Sequence, residues 1–105
     1  MVRDGDVLAT LEVATSFGAR LRGLLGRDSL EGALLLRPAK SVHTAGMRFA
    51  IDVATCDRDL VVVATTTLRP YRMTRPRREA RCVIEAEAGA FERWGLRVGD
   101  RLEVR

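Results

Sequence analysis

Residues 49–68, FAIDVATCDRDLVVVATTTL, constrain the fold more than any other stretch. Two apolar runs rich in β-branched side chains flank Asp57, Arg58 and Asp59, and β-branched residues favour extended backbone while the charged triplet supplies turn chemistry. The stretch predicts a β-hairpin of FAIDVATC and LVVVATTTL. In its first arm Phe49, Ile51, Val53 and Thr55 face one way and Ala50, Asp52, Ala54 and Cys56 the other. Both faces are otherwise small or apolar, so Asp52 is expected to be at least partly buried and to need a charge partner or several backbone donors.

The remaining segments supply companions for this hairpin. Val7 to Val13 alternates with a period of two and predicts a first strand. TSFGARLRGLLGR then places Phe17, Leu21, Leu24 and Leu25 on one helical face, with Ser16 as cap and Gly26 as terminator. GALLL at 32–36 reads as a short buried strand stopped by Pro38, CVIEAE at 82–87 as another, and GAFERWG as a second short helix. VGDRLEVR predicts a Gly-Asp turn and a closing strand. Residues 69–81, RPYRMTRPRREAR, lose the alternation and read as a solvated loop. At 105 residues the chain fits one domain, 1–105. The expected fold class is mostly β (α+β), a small compact antiparallel β-barrel-like or sandwich domain with two short helices.

Composition narrows the function classes. An apolar content of 47% with 30% charged residues is that of a globular protein. The longest apolar run, LVVVA at 60–64, is far short of the ~20 residues of a membrane-spanning helix. MVRDGDVLATLEV carries charges where a signal peptide is apolar, which predicts a cytoplasmic protein. Cys56 and Cys82 lack close spacing and read as small buried hydrophobes, with no disulfide expected in a reducing cytosol. The net charge is +4.

Four strings, GLLGR (23–27), VHTAGMRFAIDV (42–53), VIEAEAG (83–89) and LRVGDRLEV (96–104), resemble in order and interval the domain-of-unknown-function-192 family of small bacterial and archaeal proteins. The resemblance covers nearly the whole chain and implies a compact, β-rich, barrel-like fold with short helices. With its His43-Thr44 pair the chain looks like a His-Thr branch of that family. The family's biochemical role is not established.

The candidate site is a polar cleft near the start of the hairpin, where His43, Thr44, Asp52 and Arg27 converge, with Glu85 joining and Met47 and Phe49 forming an apolar wall. Such a cleft suits an unknown small polar or anionic ligand. Arg27 and Arg48 are the candidate partners of Asp52, whose plainer and favoured reading is a carboxylate that holds a turn or fixes the fold. The plainer reading of His43 is a partly buried histidine satisfied by a backbone carbonyl. The rival surface is the loop, where Arg69, Arg72, Arg75, Arg77 and Arg78, with Tyr71 interleaved, suit nucleic-acid or other phosphate contacts; nucleic acid is not the favoured partner. A small hydrolytic enzyme using Asp52 and His43 is the third reading. No ligand-pair spacing of Cys or His points to a metal, and no motif points to a cofactor. The oligomeric state is not legible.

Overall fold

The structure, a computed structural model, describes residues 1–3, 5–14, 30–42, 44 and 47–104. Seven strands and a short helix follow in order: β1 (Val2–Arg3), β2 (Asp6–Val7), β3 (Leu11–Ala14), β4 (Ala33–Leu36), β5 (Ile51–Cys56), β6 (Val62–Leu68), β7 (Cys82–Glu87) and α1 (Ala90–Trp94). The expected hairpin is β5 and β6, paired antiparallel from Ile51↔Leu68 to Cys56↔Val62, with a bulge at Thr55 and Cys56. Asp57 builds its turn. The Asp57 carboxylate accepts from the backbone N–H of Asp59 at 2.9 Å and of Val61 at 3.0 Å, a local side-chain turn that explains why this triplet reverses the chain.

β7 lies at the centre of a five-stranded sheet ordered β3-β4-β7-β5-β6. It pairs antiparallel with β4 on one side and β5 on the other, and five of its six residues are buried. Apolar residues cover both faces. On one face Leu35, Ala54, Cys56, Cys82 and Ile84 pack under Phe91 of α1. On the other, Leu34, Ile51, Val53 and Val83 pack under Val42 and Met47. A sheet covered on both sides has little polar alternation to show in sequence.

Four expectations are corrected. Among the described residues the sheet is open, with β3 and β6 at its edges, and is not closed into a barrel or folded into a sandwich. One of its pairs is parallel: β3 runs alongside β4, Leu11 opposite Ala33, and a parallel neighbour requires a crossover connection in place of a hairpin. The single strand expected over 7–13 is two, because the chain breaks at 8–10 to let β2 pair back onto β1 while β3 joins the larger sheet. The closing strand is reduced to two isolated bridges, Val2↔Glu103 and Val61↔Arg101. Gly99, at φ 95°, turns the chain there, and Asp100 is held by the Arg97 N–H at 2.9 Å and by the Arg3 guanidinium at 2.9 Å. The helix expected at 16–26 lies outside the described residues. The second helix is α1, bounded by Gly89 and Gly95, both left-handed: at Gly95 this is a common way for a helix to end, and at Gly89 it is a backbone that glycine adopts without the cost of a Cβ.

Candidate functional site

Asp52 sits on β5 opposite Ala86 of β7 and Thr67 of β6, so its side chain shares the face that α1 covers. It is 4% exposed. One carboxylate oxygen accepts from the Thr67 hydroxyl at 2.7 Å; the other accepts from the Gly89 N–H at 3.0 Å and the Phe91 N–H at 3.1 Å. Gly89 has no side chain with which to cap α1, and the carboxylate from across the sheet satisfies that helix start instead. Three neutral donors therefore hold the acid, the turn-holding role favoured above. Arg27 lies outside the described residues, and Arg48 is exposed. A hollow of about 200 Å³ beside Asp52 is lined by Thr65, Thr67, Gly89, Phe91 and Glu92.

Thr44 is fully buried. Its hydroxyl donates to the Arg69 carbonyl at 2.6 Å and accepts from the Arg72 N–H at 2.8 Å. Its N–H donates to the Arg72 carbonyl at 2.7 Å, and its carbonyl accepts from Tyr71 at 3.0 Å and Met47 at 3.1 Å. Thr44 thus pins the arginine-bearing loop. Met47 is core, packed with Val42 and Leu30. His43 lies outside the described residues.

Glu85 does not join Asp52, which corrects the expected convergence. Glu85 pairs with Val53 and Leu34, one position out of step with Asp52, and successive strand residues point to opposite faces. It is 4% exposed, and burial raises its pKa from 4.5 to about 7. An Asp52–Glu85 acid/base pair is thereby excluded.

The loop gathers what the cleft does not. All six arginines of 69–81 are exposed. Six guanidiniums against the single carboxylate of Glu79 give the loop a surplus exceeding the +4 of the entire chain, so the rest of the sequence is close to neutral. Among the described residues the side-chain contacts of Arg72, Arg77 and Arg81 stay within the loop: the Arg72 guanidinium donates to the Tyr71 carbonyl, that of Arg81 to those of Arg78 and Ala80, and that of Arg77 lies 3.8 Å from Glu79. Thr74 ties the loop to Val42, accepting from its N–H at 2.9 Å. Between loop and sheet a hollow of about 250 Å³ has Val53 and Leu68 in its lining, with Thr55, Thr66, Arg75 and Arg77 around it. The sequence revealed the arginines; it gave no sign of the hollow, which β5 and β6 form only once paired.

Cys56 and Cys82, both free and buried, face each other in register across β5 and β7. The hydrogen bond to Cys82, together with burial, raises the pKa of the Cys56 thiol, while the same bond and the charge of Arg37 lower that of Cys82 against the opposing effect of burial. Among the described residues no cluster of three His, Cys, Asp or Glu side chains is placed to hold a metal ion, and no helix is long and apolar enough to cross a membrane.

Comparison with known proteins matches this architecture to two solved structures and this sequence to several relatives. A crystal structure of a protein of unknown function from Novosphingobium aromaticivorans superposes with a TM-score of 0.79 at 22% identity, over 90% of this chain and 74% of that one. A crystal structure described as that of a putative transcription regulator from Sinorhizobium meliloti gives 0.80 at 24% identity, over 90% of this chain and 81% of that one, a likeness of fold alone. In sequence, the UPF0127 protein of Pyrococcus furiosus is 33% identical over 103 residues, covering 93% of this chain and 89% of its own length. That of Pyrococcus abyssi is 32% identical over 98 residues, covering 89% and 84%. The DUF192 family model, described as an uncharacterised ACR, matches residues 1–104. The chain therefore belongs to the DUF192 family of uncharacterised proteins.

Proposed function

We propose that the protein is a small binding module for phosphate-bearing ligands, with residues 69–81 and the hollow beneath Arg75 and Arg77 as its binding surface. The observation that carries this reading is the division of polar groups. Asp52 and Thr44 have their oxygens engaged in holding a turn and a loop, while the arginines of the loop reach solvent on a backbone that Thr44 holds in place. Concentrated guanidinium charge on a held surface attracts polyanions by releasing their counterions, and guanidinium pairs with phosphate bidentately. A small polar ligand at His43 loses support, since Thr44 and Met47 are interior and Glu85 lies on the opposite face from Asp52. Hydrolysis by Asp52 loses it too, because both carboxylate oxygens already accept hydrogen bonds. A cytoplasmic setting, where phosphate polymers abound, is part of the proposal.

Inorganic polyphosphate is the direct probe. The full chain is expected to bind it at about 50 mM salt and to release most of it at about 200 mM, and the double variant Arg75→Ala/Arg77→Ala is expected to bind markedly less at the lower salt. No binding by the wild-type protein at low salt would overturn the proposal.

A further inference from the structure

Tyr71 is 70% exposed in the middle of the arginine loop, and its φ of 63° places it in the left-handed region that a bulky L residue adopts only when its surroundings impose it. The surroundings are identifiable. Buried Thr44 accepts from the Tyr71 N–H on its carbonyl and from the Arg72 N–H on its hydroxyl, fixing the two residues that aim the ring. The molecule thus bears backbone strain to hold an aromatic ring in water, where it adds nothing to the core. Met73, two residues on, is 66% exposed beside the hollow with Val53 and Leu68 in its lining.

Phosphate recognition alone needs neither the ring nor the hollow. A lipid surface needs a larger apolar face than one tyrosine and one methionine on an irregular loop. Duplex DNA keeps its bases stacked, and reading its major groove takes an inserted helix or β-ribbon, which residues 69–81 lack. A single strand offers both phosphates and unstacked bases, and exposed aromatics among cations are how such strands are held without sequence preference. We infer that the loop binds single-stranded nucleic acid: Tyr71 stacks on one base, the hollow beside Met73 receives a neighbour, and Arg72, Arg75 and Arg77 contact the phosphates between. This rests on the phosphate-binding reading and names its ligand.

The test compares labelled oligothymidine, a DNA duplex, inorganic polyphosphate and phosphatidylserine vesicles on the full chain and on two variants. Tyr71→Asn keeps a residue tolerant of the left-handed backbone while removing the ring, and Tyr71→Trp keeps an aromatic. The expected result is tighter binding of oligothymidine than of duplex or polyphosphate, weakened about tenfold in Tyr71→Asn and retained in Tyr71→Trp. Equal binding of oligothymidine and polyphosphate, unmoved by Tyr71→Asn, overturns this inference and leaves the phosphate reading standing. Preference for duplex or for vesicles overturns it in favour of that ligand. No binding to any of the four probes overturns both.

Discussion

Asp52 and the arginine loop are both polar, and they differ in where their bonding capacity goes. Asp52 is enclosed, its two oxygens accepting from Thr67, Gly89 and Phe91. The loop arginines are exposed, and among the described residues the side-chain contacts of Arg72, Arg77 and Arg81 are made within their own segment. One polar group completes the fold and the other set is carried by it. Glu85 sharpens the contrast: as enclosed as Asp52, it has its pKa raised by burial. Burial alone does not make a carboxylate structural; the donors that meet it do.

That division is breakable by substitution. The largest effect is expected of Asp52→Ala, which removes a charged acceptor and strands the Gly89 and Phe91 N–H groups. It should cost about 3–5 kcal/mol in urea denaturation, with Asp52→Asn milder because its amide oxygen still accepts. Next comes Glu85→Gln. Between pH 4.5 and about 7 the unfolded chain releases the Glu85 proton while the folded chain keeps it, so wild-type stability falls as pH rises through that window. Glu85→Gln should remove that slope and show up to about 3 kcal/mol more stability relative to wild type at pH 8 than at pH 4. Parallel urea titrations at the two pH values check it, and an unchanged slope would show that Glu85 is not the group responsible. Thr44→Val, which keeps the shape and deletes the hydroxyl, should cost about 2 kcal/mol and also weaken polyphosphate binding by loosening the loop. The smallest effect on stability, within about 0.5 kcal/mol, is expected of Arg75→Ala/Arg77→Ala. A large loss of stability there would erase the distinction between the two regions.

Local chemistry was legible in the sequence where one segment decides the outcome. The 51–68 hairpin, the Asp57 turn, the strand at 82–87 and the glycine-bounded helix at 90–94 all follow from β-branching, turn residues and left-handed glycines. The burial of Asp52 was legible too, from its apolar neighbours. Its donors were not, because Gly89 and Phe91 reach it only after β5 pairs with β7, thirty-odd residues further along the chain. Register also decided Glu85: a one-residue offset in pairing exchanges faces, and nothing within CVIEAE specifies that offset. The parallel placement of β3 depends on its connection to β4, and the open sheet depends on which strands end as edges. The loop was read correctly as solvated and arginine-rich; Thr44 as its anchor was missed, since a threonine amid small residues carries no mark of the carbonyls it will meet.

The most direct test of the division is the salt dependence of oligothymidine binding, measured by anisotropy for the wild-type protein and for Arg75→Ala/Arg77→Ala. If the loop is the functional surface, the double variant should melt at the wild-type temperature, bind at least about tenfold more weakly, and lose about 0.7 of log–log salt slope for each phosphate contact removed. A variant that keeps the wild-type affinity and salt slope would contradict the account.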